Sequence, residues 1–499
     1  MTATEVQAQI QAPGAQGRVR RRLALWLFAS FNCLYLLTST GRVRTLDEYT
    51  TLYQSESMVL RHSTAIPQAV ALNNFYGRYD RQGKPRAAYP PGHAAAAAPW
   101  YAVGAYALSR MPRVPADAND LVVGFSSCLS SATFAALAVA LAFLLLSGIG
   151  VDLRSSLFAA GILGLGTPLL AYSAWFFSEP LATAMLLGAG LVLFGHGGGS
   201  AVSGRAAAAA GALLGLAVWV RPTHVIAIAV FLAALVIRDG KAGMRAAVAL
   251  AGVSAAIVAL LLAYNVARFG NAFEFGYPVA AERGKQLNSF HTPLLIGLYG
   301  FLLSPGKSIF LFAPPVLLAF AGLRELWRRD RGLAALAALL PLTYLLFFAR
   351  YTQWEGGYCF GPRYLLPATA ALCLGLGPAL ANGGKGKRWL AIGLLVAGIM
   401  VQSIGLATSF MEDQATTGRY YDVHWNYRLS YSLAGQVHLL FHYLGSRKPA
   451  RLGLGWDRWF VFLHKGGVSA GTLAAWAALM VVGLVASVIG LRRSLQQAA

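Results

Sequence analysis

The sequence predicts an all-α, polytopic integral membrane protein of about 12 transmembrane helices, with interfacial helices in the first outer loop. Three observations carry that expectation. Of 499 residues, 57% are hydrophobic and 12% charged, against roughly 45–50% and 25% in soluble globular domains. The mean hydropathy is +0.55. The apolar residues gather into runs that approach the roughly 20 helical residues needed to cross a bilayer core. A disordered chain, a fibrous chain and an ordinary water-soluble enzyme are excluded.

The runs lie at 23–40, 121–147, 156–175, 180–195, 206–220, 222–237, 246–264, 308–323, 333–349, 364–381, 389–408 and 470–490. Arg18, Arg20, Arg21 and Arg22 precede the first, which lacks a small-residue cleavage site and reads as a retained signal anchor. Segment 93–110 is moderately apolar and interrupted by Pro99, which predicts a helix lying in the interface. A further crossing there would turn the downstream basic loops outward.

An even number of crossings leaves both termini on one side. The positive-inside rule makes that side the cytoplasm. Arg154, Arg205, the Arg238–Lys241–Arg245 group, Arg324 to Arg331, Lys385 to Arg388, and Arg492–Arg493 then all face inward. The expected organisation is a cytoplasmic tail 1–22, a membrane domain 23–491 and a cytoplasmic tail 492–499. Loops 41–120, 265–307, 350–363 and 409–469 lie outside, on the periplasmic or extracellular face of the plasma membrane.

Lys and Arg number 41 against 19 Asp and Glu, for a net charge of +22. These cations flank apolar runs instead of forming a stripe, and no nucleic-acid module is present, so nucleic acid is not the partner. Membrane lipid headgroups or a phosphate-bearing substrate account for the excess. Cys33, Cys128 and Cys373 fall inside apolar runs, so no disulfide framework is expected.

Most acidic and aromatic non-periodic sequence falls in the outer loops, which places any chemistry on that face. RTLDEY (44–49) puts Asp47 and Glu48 just after the first run. Partly desolvated, one of the pair has the chemistry of a proton acceptor; on local sequence alone the favoured reading is a solvated acidic turn or an N-cap for the helix suggested by TTLYQSESMVL. GKPRAAYPPGH (83–93) adds Lys84, Arg86 and Tyr89, with a rigid Pro90–Pro91 turn ahead of His93.

Lys307, in SPGKSIFLFAPP (304–315), stands before an apolar run. Phe301 occupies the place where a nucleotide-binding loop needs glycine, so the segment suits a phosphate but not a nucleotide. In WEGGYCFGPRYLLP (354–367), Trp354, Glu355 and Tyr358 are candidate substrate contacts. Arg363 either grips a phosphate or snorkels to headgroups; for Arg221, in VRPTH, snorkelling is favoured. Glu48 and His93 are the candidate ligands should a divalent metal ion be used. His438 and His442 have helical spacing but no HExxH.

A first span, an outer loop opening with Asp-Glu, a Pro-Pro turn before an interfacial helix, many spans and a late GPRYLLP together resemble the GT-C superfamily of membrane glycosyltransferases. The resemblance is to the branch of protein O-mannosyltransferases and lipid A aminoarabinose transferases. It implies a catalytic base at Asp47, with Glu48 orienting the acceptor or holding a metal. It also implies a polyprenyl-phosphate sugar donor, inverting transfer, and a lipid, glycan or protein acceptor. Tyr89 stands where the family usually has lysine, and Lys84, Arg86, Lys307 and Arg363 are left as candidates for the donor phosphate. The competing expectation is a transporter or flippase, which calls for ionisable residues near the middle of spans.

Overall fold

The computed structural model describes residues 13–110, 119–197, 201–277, 290–357, 359–408, 433–445, 459–465 and 467–498. All twelve apolar runs are helical, and three of them are broken instead of continuous.

Helix α1 (Pro13–Thr38) carries the first run, with the arginines in its opening turns. The loop after the first run folds as α2 (Leu46–Arg61), α3 (Pro67–Ala71), an antiparallel hairpin of β1 (Gly77–Tyr79) and β2 (Pro85–Ala87), and α4 (Gly92–Ser109). Helix α5 (Asn119–Gly148) is the second run. The third divides at Pro168 into α6 (Leu153–Gly166) and α7 (Leu169–Tyr172), because proline has no N–H for the preceding turn.

Next come α8 (Glu179–Phe194), α9 (Gly204–Val220), α10 (Val225–Asp239) and α11 (Met244–Phe269). Gly240, at φ +56°, turns the chain between the last two. Without that turn the 48 residues from Pro222 to Phe269 would make a rod of about 72 Å, more than twice a bilayer core.

Helix α12 (Leu294–Leu302) leads to the eighth run, which Pro314–Pro315 splits into α13 (Ile309–Phe312) and α14 (Val316–Ala319). Beyond it lie α15 (Leu323–Arg329) and α16 (Arg331–Arg350). The tenth run breaks at Gly375 into α17 (Leu366–Cys373) and α18 (Leu376–Ala381). The chain continues through α19 (Lys385–Ala407), α20 (Leu433–Gly445), α21 (Trp459–Lys465) and α22 (Ala470–Gln496).

Five stretches among the described residues are long and apolar enough to cross a membrane: Val122–Gly148, Pro222–Phe269, Arg331–Arg350, Lys385–Ala407 and Ala470–Gln496. Helices α6, α8 and α9 are apolar but shorter. Helix α1 packs along α5 and α22, α9 along α11, and α10 along α16. Small residues let such helices approach: Gly211 and Gly215 of α9 lie against the Leu250–Ile257 segment of α11. The outward side chains Leu479, Val482, Val248, Leu260 and Met400 are exposed and apolar, a surface that lipid solvates and water does not. The molecule is an all-α, multi-pass membrane protein.

Loops expected to share a side do meet. Arg238 pairs with Asp330 at 2.9 Å and donates to Gly197 O, while Arg329 donates to Gly150 O. The segments carrying Asp47, Tyr89, Glu179, Arg221 and Arg363 converge likewise.

Candidate active site

Helix α2 begins with a reciprocal cap. Glu48 N–H donates to Thr45 Oγ1 at 3.2 Å, while Glu48 Oε2 accepts from the backbone N–H groups of Thr45 and Arg44 at 2.9 and 2.8 Å. Its other oxygen accepts from Phe176 N–H at 2.9 Å, tying α2 to the turn before α8. Glu48 is 1% exposed. Burial raises its pKa, opposed by Arg44 and by the three backbone donors. With both oxygens committed to backbone, Glu48 neither orients an acceptor nor ligates a metal, which corrects the sequence expectation.

Replacing Glu48 by Ala should cost about 1–3 kcal/mol through the orphaned N–H groups. The apparent melting temperature falls, and turnover per folded molecule is little changed. Lost turnover at unchanged stability would return Glu48 to the chemistry.

One residue earlier, 100° around the helix, Asp47 faces elsewhere. Its Oδ1 accepts from Tyr89 Oη–H at 2.5 Å and its Oδ2 from Arg363 Nη2 at 3.0 Å. The carboxylate keeps 31% of its side-chain exposure. The pair therefore divides: the acid at the third helical position caps, and its neighbour opens to the cleft.

Tyr89 is delivered by the hairpin and the Pro90–Pro91 turn. Its ring meets Tyr277 edge-on at 5.6 Å and lies 6.0 Å from Tyr76. Burial and the Asp47 charge hold its phenol well above the ordinary tyrosine range, so it stays a donor to Asp47.

Arg363 opens a short 3₁₀ turn ahead of α17. Its Nε lies 3.3 Å from Glu179 Oε1, and Arg221 Nη1 donates to that same oxygen at 2.6 Å. The result is a row of alternating charge, Asp47–Arg363–Glu179–Arg221, which sums to zero. Both guanidiniums lie over Tyr364, at 4.4 Å for Arg221 and 5.1 Å for Arg363, and Arg363 also lies over Phe177. Burying two arginines side by side is tolerable only because a carboxylate divides them. Glu179 is the first residue of α8, and Arg221 directly follows α9.

The row opens into a cleft of about 450 Å³ counting its mouth, walled by Asp47, Tyr89, His93, Phe177, Glu179 and Arg221 among others. His93 Nε2 is buried there with no hydrogen-bond partner among the described residues. Burial lowers the His93 pKa to about 3, so the imidazole is neutral.

Other expected site residues lie elsewhere. Lys84 is exposed in the hairpin turn, where its backbone N–H donates to Asp80. Arg86 is committed to Asp80 at 2.7 Å and Thr64 at 2.8 Å. Neither lines the cleft: Lys84 sits in the exposed turn and Arg86 is spent on Asp80 and Thr64. Lys307 is fully buried and donates to the carbonyls of Cys359 and Gly361 at 3.1 and 3.2 Å. It fastens the loop that delivers Arg363 and does not line the cleft. Trp354 is core, edge-on to Phe301 at 5.5 Å. Tyr358 and the side chains of His438 and His442 lie outside the described residues.

Glu355 is buried in that loop and away from the cleft, with Oε2 unpartnered among the described residues. Burial raises its pKa to about 7, against the pull of Lys307 and Arg363. An acid whose folded pKa exceeds its unfolded value binds the extra proton only when folded. Stability therefore falls as pH rises from about 4.5 to 7, by up to about 3 kcal/mol. Glu355→Gln should flatten that slope in melting curves across this range; an unchanged slope would refute the assignment.

Among the described residues no group of three or more His, Cys, Asp and Glu side chains could hold a metal ion. With Glu48 committed to backbone, the expected Glu48–His93 pair does not fit one.

Sequence reasoning missed Glu179 and took Arg221 as a snorkelling residue. The available signal was an acid and a base each standing at the same expected membrane edge, at the ends of neighbouring apolar runs.

Fold and site together define a polytopic helical membrane protein with a charged cleft where helix ends and connecting loops converge. No protein-family model matches the sequence, and no curated protein does. Among solved structures the chain is similar to ArnT from Cupriavidus metallidurans. Against ArnT bound to undecaprenyl phosphate, identity is 17% and the TM-score 0.47, over 95% of this chain and 77% of that one. Against apo ArnT the values are 16% and 0.48, over 96% and 77%.

Proposed function

We propose that the protein is a GT-C-type glycosyltransferase. It moves a hexosyl or pentosyl group from a polyprenyl-phosphate donor to a hydroxyl of a lipid, glycan or protein acceptor, with inversion, on the outer face of the membrane. The observation that carries this reading is Asp47: a part-exposed carboxylate facing a cleft and joined directly to a buried guanidinium.

In this reading the donor phosphate binds at Arg363 and Arg221, competing with the two carboxylates. As Arg363 turns toward phosphate, Asp47 Oδ2 is released to accept the acceptor hydroxyl's proton. The acceptor oxygen forms its bond to the anomeric carbon as the bond to the phosphate oxygen breaks. The leaving phosphate takes the electron pair and is stabilised by the guanidiniums. Tyr89 holds Asp47 in place, and Tyr76 and Tyr277 supply aromatic walls that suit a sugar ring.

The transporter reading fares worse. It calls for ionisable residues within continuous spans, whereas among the described residues the buried charged groups Glu48, Asp80, Glu179, Arg268, Lys307, Asp330, Glu355 and Arg363 sit at helix ends or in loops.

The test is transfer by the purified protein from radiolabelled polyprenyl-phosphate mannose, arabinose and aminoarabinose to extracted membrane lipid, glycan and protein acceptors. Label incorporated from one of these donors supports the reading; none from any donor counts against it. Cysteine labelling tests the face, using the exposed positions Gln82 and Gly386. Gln82→Cys should react from outside and Gly386→Cys from inside. The reverse would place the site in the cytoplasm.

A further inference from the structure

Two buried polar atoms in the cleft are left unused by the transfer chemistry. His93 and Glu179 both form part of its wall, and His93 Nε2 and Glu179 Oε2 have no hydrogen-bond partner among the described residues. His93 is 5% exposed and Glu179 3%. A buried polar atom without a partner gives up its hydration for nothing in return, so native folds rarely keep one. Two in a single cleft point to a ligand that supplies the missing bonds.

The neighbours of His93 hold it in place. After the Pro90–Pro91 turn, Gly92 presses the start of α4 onto the end of α9, where a Cβ would stand 2.5 Å from Trp219 O. Arg221 comes two residues after Trp219, so His93 and the guanidinium-bearing turn are brought to the same corner. Ser55 Oγ donates to Ala94 O at 2.9 Å, tying the next residue to α2. The imidazole packs on Phe176, with ring centroids 4.9 Å apart.

We propose that His93 is a specificity-determining residue that hydrogen-bonds an uncharged hydroxyl of the substrate, with Glu179 Oε2 as the companion acceptor, a role that rests on the transfer reading above. A carboxylate oxygen repels phosphate and accepts from a hydroxyl. Arg221 and Arg363 contact Glu179 through Oε1, which leaves Oε2 for that purpose. Burial holds the imidazole neutral, and a neutral imidazole carries one donor and one acceptor nitrogen, the same pairing that a hydroxyl offers. A site built in this way rejects an analogue that lacks the hydroxyl, because its own buried groups then stay unpaired. The hydroxyl belongs either to the transferred sugar or to the acceptor, and the two sources give different results.

The experiment uses the full-length protein in detergent, with His93→Phe and His93→Gln. Phenylalanine keeps the packing on Phe176 and removes both ring nitrogens. Melting without ligand checks that each variant is folded; should His93→Phe fail to fold, His93→Leu, which also lacks a donor and an acceptor, replaces it. Binding is titrated with polyprenyl-phosphate mannose, arabinose and aminoarabinose, and with polyprenyl phosphate, which has no sugar. His93→Phe should bind at least one sugar-bearing donor roughly three- to tenfold more weakly, the loss of one neutral hydrogen bond, with polyprenyl phosphate unchanged. His93→Gln returns an amide near the place of Nε2 and should recover most of that affinity. Lys84→Ala, exposed and outside the cleft wall, should bind every ligand as the wild type does.

That pattern assigns the hydroxyl to the sugar. Unchanged donor binding, with the acceptor KM of His93→Phe raised by a similar factor and restored in His93→Gln, assigns it to the acceptor. Both outcomes support the role. A wild type that transfers no label, yet shows the sugar-dependent loss in His93→Phe, counts against the transfer reading alone. Equal weakening of polyprenyl phosphate and its sugar-bearing forms, equal losses in His93→Phe and His93→Gln, or no change in either titration overturns the role of His93.

Discussion

Asp47→Asn should lower transfer by roughly 10²–10⁴-fold, the usual contribution of a positioned general base, while expression, folding and donor binding survive. The amide matches the carboxylate in shape, and its oxygen can still accept from Tyr89 or from Arg363, which donate to Asp47 at 2.5 and 3.0 Å. It cannot take up a proton from an acceptor hydroxyl. Single-turnover transfer from bound radiolabelled donor isolates the chemical step. Retention of more than about a tenth of the wild-type rate would contradict the base assignment, because even the low end of general-base effects exceeds that loss.

Substitution of Arg363 should have the second large effect, and the conservative change should be nearly as informative as truncation. Arg363 reaches Asp47 with Nη2 and Glu179 with Nε. A lysine is a single point charge and cannot span both. Arg363→Lys should lower donor kcat/KM by roughly 10- to 100-fold, the loss of one charge-assisted hydrogen bond. Arg363→Ala leaves two carboxylates facing one remaining guanidinium, and breaking a buried pair costs about 3–5 kcal/mol, so stability falls with activity. Donor and acceptor titrations separate the roles: the loss should appear with the donor varied and fade with the acceptor varied. Wild-type behaviour of Arg363→Lys would mean that only charge and reach matter there. Arg221 would then become the better phosphate ligand, since Lys307 is already spent on Cys359 and Gly361.

These two residues were named from sequence, and their partners were not. Asp47 stood out as an acid just past the first apolar run, and Arg363 as a cation at an expected membrane boundary, after the glycines of WEGGYCFGPRYLLP. Lys84, Arg86 and Lys307 stood out for the same reason, namely charge in an expected outer loop. Yet Arg86 is consumed by Asp80 and Lys307 by two carbonyls, while Lys84 is exposed at the hairpin turn away from the cleft. A cation needs a free donor facing substrate, and loop membership does not reveal where donors point. Glu179 and Arg221 show the converse. Each looked ordinary alone, because a residue at the end of an apolar run is usually just a boundary.

The sequence by itself determined the solvent and the helical class. Runs of apolar residues in lipid leave the backbone no partner but itself, so composition alone dictates helices and their approximate ends. The breaks at Pro168, Pro314–Pro315 and Gly375 fall inside runs that read as continuous, and the structure alone revealed them. Only the tertiary structure decided which charges became a site. Asp47 and Arg363 are 316 residues apart and touch at 3.0 Å, and Glu48, next to Asp47, is turned away by one step of helix into the Phe176 backbone. Hydrophobic periodicity is local and survives in a one-dimensional string, whereas ion pairing depends on which helix ends are packed together, and that is set by the shapes of the whole bundle.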